Sequence, residues 1–259
     1  MSRPGRRMIA IRGEPAAGQG DSTPVRLVTL HVWRVPRRAL PRALARMAVD
    51  PRRLRATPGV RFGKLLGTGD GTGFGPTDAD LTRWAAVIAW ADPGRAAGFD
   101  DTPVGRAWRR IAHAAARIDL RPLSSRGRWS GVEPFGDPRD GTATGPVLAL
   151  TRARLRPHRA ATFWRAVPPV AAALRDTPGL IARFGIGEAP LGWQGTISVW
   201  RDATDLVHFA YRHPEHRSAI MRTPGQRWYA EELFARFDVR DVIGDLAVLD
   251  WVRPDGGQE

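Results

Sequence analysis

The sequence repeats itself, and the repeat limits the fold more than any other feature does. LALTRARLRPHRA at 148–160 lies on VTLHVWRVPRRAL at 28–40, and the TPG at Thr177 lies on the TPG at Thr57, both at an offset of 120 (177 − 57). Further on, TISVWRDATDLVHF at 196–209 lies on AVIAWADPGRAAGF at 86–99 at an offset of 110 (196 − 86). That register sets Trp200 on Trp90, Asp202 on Asp92 and Phe209 on Phe99. The ten residues lost between the two offsets fall in the Gly-rich stretch GDGTGFG at 69–75, where a loop tolerates a change of length.

Each half carries the same alternation of patterns. VRLVTLHVWRV from Val25 alternates with period two, placing Leu27, Thr29, His31 and Trp33 on one side of a strand and Val28, Leu30 and Val32 on the other. After Pro36, Ala39, Leu40, Ala43, Leu44 and Met47 recur at spacings of three and four, which predicts a helix. A turn and short strand follow at TPGVRFGKLLGTG, then the strand RWAAVIAW at 83–90 and a helix expected over 104–116. The order is strand, helix, strand, strand, helix and a final strand, twice over. It is that of a ferredoxin-like βαββαβ unit. Two such units can pack their sheets face to face, so the expected fold is α+β: two tandem ferredoxin-like βαββαβ repeats forming a fused dimeric α+β barrel. The expected boundaries are a tail at 1–23, a first half at 24–135, a Gly/Pro/Asp-rich connector at 136–146, a second half at 147–253 and a short tail at 254–259.

Composition narrows the chemistry. There is no cysteine, which excludes disulfides, thiolate metal sites, iron–sulfur clusters and thiol nucleophiles together. The formal charge is +14 and the sequence pI about 11.5, yet Lys64 is the only lysine and the arginines are spread along the whole length. That distribution reads as coding bias toward Arg rather than a nucleic-acid patch, so no nucleic-acid partner is expected. The longest apolar runs, 84–91 and 167–174, fall short of the roughly 20 residues a spanning helix needs. No apolar stretch follows the basic start, and a cytoplasmic location is expected. The Gly-rich 69–75 stretch lacks the order of a phosphate-binding loop.

Among the six histidines, periodicity separates one. In a helix starting at Pro214, His216 shares a face with Ala219, Ile220 and Thr223, pointing inward. A buried histidine satisfied by a carbonyl would look the same. His208 falls opposite the Leu206, Phe209 and Ala210 stripe, toward solvent; His213 suits a helix-start turn; His31 lies on a strand lining the first half; His113 and His158 read as surface residues. At the 110 offset His216 falls on Arg106, so a histidine of this kind exists in one half alone.

FGIGEAPLGWQGTISVW, FAYRHPEHRSAI and WYAEELFARF, with SRGRWSG at 125–131, resemble the spheroidene monooxygenase family of carotenoid-modifying enzymes, over about 25–251. The resemblance implies a heme b cofactor, one per chain, and insertion of oxygen near the C-2 end of an acyclic carotenoid, giving a hydroxy and then a keto product. The histidine of the family's FAYR-x-x-x-H motif falls on His216, the implied axial ligand, with His213 and His208 as alternatives. Two propionates would need cations, for which Arg126, Arg128 and Arg183 are candidates. Phe184, Trp193, Trp200 and Trp228 are candidates for an apolar substrate pocket, and Tyr229 is expected to pack on Leu233 along a helix. With no dinucleotide or flavin motif in the chain, reducing equivalents would come from an external donor such as a ferredoxin. The Arg-rich surface would suit peripheral contact with an anionic membrane. Two other functions fit the same residues: a barrel enzyme acting on another apolar metabolite, whether a heme-dependent dehydratase or oxidase or a cofactor-free oxygenase, and a non-enzymatic basic binding protein.

Overall fold

The computed structural model describes residues 25–70, 78–136, 138, 141–156, 158, 177–188, 193–212 and 229–252, with 193, 194, 211 and 212 described by backbone alone. The first half runs β1 (Leu27–Arg34), α1 (Leu40–Arg55), β2 (Val60–Gly69), β3 (Ala79–Trp90), α2 (Pro103–Ile111) and β4 (Ala114–Gly127). The second runs β5 (Val147–Leu155), β6 (Leu180–Gly187), β7 (Trp193–Trp200), α3 (Ala203–Arg212) and β8 (Tyr229–Gly244). The eight strands close into a barrel in the order β1-β3-β2-β6-β7-β5-β8-β4, with every pair antiparallel. It is two four-stranded sheets, 4-1-3-2 and 8-5-7-6, joined along β4–β8 and β2–β6, as the repeat requires.

The repeat survives in backbone detail. β2 carries a bulge between Val60 and Phe62 against β3, and β6 carries its equivalent between Leu180 and Ala182 against β7. Each bulge follows a TPG turn whose glycine, Gly59 or Gly179, has a φ of 84°, a left-handed conformation that suits a residue without Cβ. Both glycine carbonyls accept from the residue after the neighbouring strand, Ala91 N–H at 2.9 Å and Arg201 N–H at 2.8 Å.

Two expectations need correcting. The helix expected over 104–116 stops at Ile111, and Ala114–Ala116 already belong to β4, paired with β1. A run of alanines has no period of its own, and the His113 N–H bond to the Arg34 carbonyl at 2.9 Å commits it to the sheet. Tyr229 and Leu233 lie on β8, not on a helix. Their spacing of four fits either element; the alternation of Leu233, Ala235 and Phe237 into the barrel decides for the strand.

The barrel is filled, not hollow. Val28, Leu30, Val32, Val87, Ile118, Leu148, Leu150, Phe184, Ile197, Val199 and Phe237 meet at its centre. The segments after β4 and β8, which carry Trp129 with Phe135 and Val248 with Leu249, pack against the same core. Outside the first sheet a second core sits under α1 and α2, built on Trp33, Trp84, Trp90, Phe99 and Trp108.

Candidate functional site

Strand register brings together side chains that are far apart in the chain. On the outward side of the second sheet, the side that α3 covers at Trp200, one row runs Arg126 (β4), Phe234 (β8), Thr151 (β5), Thr196 (β7) and Gly185 (β6). The next runs Ser124, Arg236, Ala149, Ser198 and Arg183. The middle of this face is therefore Thr, Ala, Ser and Gly, with guanidinium groups toward both edges. Arg126 lies over the Phe234 ring at 5.3 Å and Arg236 donates to Ser124 Oγ at 2.9 Å. At the far end Trp200 stacks on Phe209 of α3 at 5.2 Å and donates its indole N–H to Ser198 Oγ at 3.0 Å.

Several of the same positions in the first sheet carry larger side chains, although Thr196 corresponds to the smaller Ala86. By the 120 offset Thr151 and Ala153 correspond to His31 and Trp33, and Gly185 to Leu65; by the 110 offset Ser198 corresponds to Ile88. In the first half Trp33 stacks on Trp108 at 5.0 Å, and His31 lies 4.3 Å from Phe99. His31 is 3% exposed and bonded to Thr29 Oγ1 at 3.1 Å, and burial, with Arg117 nearby, lowers its pKa to about 3. It is a neutral packing residue. One repeat has spent its sheet-to-helix layer on aromatic packing; the other carries small, polar side chains there.

The candidate residues divide accordingly. Arg126 and Arg183 reach the same face from opposite edges. Arg128 lies beyond the end of β4, largely exposed and 3.8 Å from Glu133. Phe184 points the other way, into the barrel, where the Arg83 guanidinium lies 5.0 Å from its ring. Phe184 and Trp200 are thus on opposite sides of the sheet and do not line one cavity. Trp193 is on β7, with its side chain outside the described residues, as are His216, His213 and Trp228 entirely. His208, His113 and His158 are exposed. The exposed Arg106 is the counterpart of His216 at offset 110, but Pro103, which opens α2, and Pro214, where the sequence predicts a helix start, are 111 apart. Registering those prolines sets His216 on Gly105, which is buried and so close to the Phe99 carbonyl that a Cβ would collide with it. Among the described residues no group of three or more His, Asp or Glu could hold a metal ion.

A second cluster escaped the sequence reading. Arg152 projects from β5 in phase with Leu148 and Leu150, is 2% exposed, and pairs with Glu231 and with Glu188, the latter at 2.9 Å. Glu188 also accepts from Trp129 Nε1 at 2.6 Å and from Lys64 Nζ at 2.7 Å. Burial would raise the Glu231 pKa, but bonds from the Gly131 and Ser130 N–H groups and from Arg152 bring it below the usual carboxylate value. Charged residues from both repeats so close this end of the barrel, and every charge has a partner. The signals in the sequence were an arginine in phase with core residues and the lone lysine.

No family model matches the chain. Among solved structures the chain is similar to an aldoxime dehydratase, at a TM-score of 0.57 and 12% identity over 84% of this chain and 82% of that one. A second aldoxime dehydratase, in complex with butyraldoxime, matches at a TM-score of 0.56 and 12% identity, covering 86% and 82%. At such identity these likenesses speak for the fold alone. The sequence itself is 37% identical to the spheroidene monooxygenase of Rhodobacter capsulatus over 80% of this chain and 86% of the relative. It is 36% identical to that of Rubrivivax gelatinosus over 72% of each. On that evidence, the chain belongs to the spheroidene monooxygenase family.

Proposed function

We propose that the chain is a heme-dependent monooxygenase that inserts oxygen near the C-2 end of an acyclic carotenoid, and that its chemistry is done in the second half. The observation that carries the activity is the 37% identity to a spheroidene monooxygenase over 86% of that protein. The contrast between the two sheets supports the location. A planar macrocycle needs a broad shallow space beside a sheet, which Thr151, Ser198 and Gly185 favour because their first-half counterparts, His31, Ile88 and Leu65, are larger. Arg126, with Arg236 on the adjoining strand, stands at one edge of this face and Arg183 at the other, so either edge offers a guanidinium group to a carboxylate pair. Arg128 is a further candidate from just past the strand end.

Bound heme would supply the activation of dioxygen, and the chain's part is to hold and enclose it. His216, neutral, would give one ring nitrogen to the iron and its other N–H to an acceptor, which fixes the tautomer. The stacked Trp200 and Phe209 close the apolar end of the face and exclude water there. Electrons would come from an external donor such as a ferredoxin. Purified protein reconstituted with hemin should show a Soret band that is lost or strongly shifted in His216→Ala. With a reductant it should place label from 18O2 in an acyclic carotenoid. A missing Soret band in wild-type protein removes the heme, and product without 18O removes the monooxygenation.

A further inference from the structure

The surface of the first half has a feature that its filled interior does not explain. Helix α1 buries little, chiefly Ala43, Asp50 and Leu54. Its outward side carries Leu44 (55% exposed) and Val49 (47% exposed), with Ala45 and Ala48 exposed between them. These four form one stripe, because residues three and four apart are neighbours on a helix. Exposed arginines border the stripe: Arg37, Arg38 and Arg42 before it, Arg52, Arg53 and Arg55 after it. Helix α2, in the same layer over the same sheet, adds Arg106, Arg109 and Arg110, all exposed. The one acid on α1, Asp50, has no exposed surface and is held by Arg53 at 3.3 Å and Arg46 at 3.7 Å; α2 has none. Asp100 and Asp101, exposed just before α2, border the patch.

We infer that this face of α1 and α2 docks on an anionic lipid surface. An apolar stripe ringed by guanidinium groups fits the boundary between headgroups and acyl chains, where Leu and Val enter the apolar edge while the arginines meet phosphates. A nucleic acid would use the charges and leave Leu44 and Val49 in water; a bilayer uses both. Among the described residues no helix is long and apolar enough to cross a membrane, so this contact is peripheral. The inference rests on the proposed function only for its purpose: a carotenoid is dissolved in bilayer, and docking brings the second half to it.

The test needs neither heme nor substrate. Vesicles of phosphatidylcholine alone, and with a share of phosphatidylglycerol, are sedimented with the full chain. Wild-type protein should bind the anionic vesicles and leave the neutral ones, with binding lost at about 1 M salt, where charges are screened beyond about 3 Å. Arg42→Gln with Arg109→Gln and Arg110→Gln should weaken anionic binding at least about tenfold, while the equal charge change Arg26→Gln, Arg201→Gln and Arg240→Gln should weaken it far less. Leu44→Ser should weaken binding several-fold with charge unchanged. Equal loss in both triple variants means that total charge, not this face, does the binding, and overturns the inference. So does an unchanged Leu44→Ser, or a face that captures DNA or an acidic ferredoxin and no vesicles. A failed Soret test with intact vesicle binding would instead remove the heme reading and leave this one standing.

Discussion

The two repeats have the same strand order, the same bulge and the same left-handed turn glycine, and they use their outward sheet faces in opposite ways. Both faces keep an aromatic pair, Trp90 with Phe99 and Trp200 with Phe209; beside it the first face is packed with Trp33, Trp84 and Trp108, and the second presents Thr151, Thr196, Ser198 and Gly185 between arginines. The repeat supplies two equivalent sheet faces, and larger side chains occupy more of the first. On the proposed function, the filled half would supply packing and the docking surface, and the other would give up packing for binding. The difference lies in side-chain volume at matched positions, so it can be tested by exchange.

The largest effect expected is in the filled half. Trp108→Ala should cost about 3–5 kcal/mol in denaturant unfolding, against under about 1 kcal/mol for Thr151→Ala in the second. Because the Trp108 indole N–H has no hydrogen-bond partner among the described residues, Trp108→Phe should cost much less than Trp108→Ala. Next is the charge cluster shared by the repeats: Arg152→Ala leaves the half-buried Glu188 and Glu231 facing each other with Lys64 as the remaining cation and should cost about 2–3 kcal/mol, while a double change that also replaces Glu231 by Gln should recover part of it.

A smaller effect comes from His31. Its folded pKa, about 3, lies below the unfolded 6.5, so the unfolded chain binds the extra proton between those values. Its contribution is complete above pH 6.5 and is lost as pH falls toward 3, by about 2 kcal/mol between pH 6.5 and 5. His31→Phe should flatten that part of the stability profile. The smallest effect is in the second half, where Arg183→Ala should lower hemin affinity by several-fold to about tenfold with stability nearly unchanged, read by Soret titration and by melting.

Much of the fold was legible because a repeat makes each half a check on the other. The 120 and 110 offsets found the βαββαβ order, and the period-two alternation of β1 assigned both of its faces correctly. Sequence failed where two periods fit the same residues. Tyr229 and Leu233 are four apart on a helix and also in phase on a strand, and the alanines after Ile111 carry no period at all. For the site, residue type suggested Arg126 and Arg183, but only strand register put them on one face and turned Phe184 away from it. The Arg152 cluster left only two signals, an arginine in phase with core residues and the lone lysine, because its other members, Trp129, Glu188 and Glu231, come from separate segments.

The most direct test of the account exchanges volume between the halves and titrates hemin. Thr151→Trp gives the second face a ring of the first half's kind, and Trp33→Phe trims the first; circular dichroism confirms that each variant is folded. The account predicts a Soret band saturating at one heme per chain for wild type and Trp33→Phe, and little or none for Thr151→Trp. Undiminished binding by Thr151→Trp, or loss of binding confined to Trp33→Phe, would contradict the placement of the site in the second half.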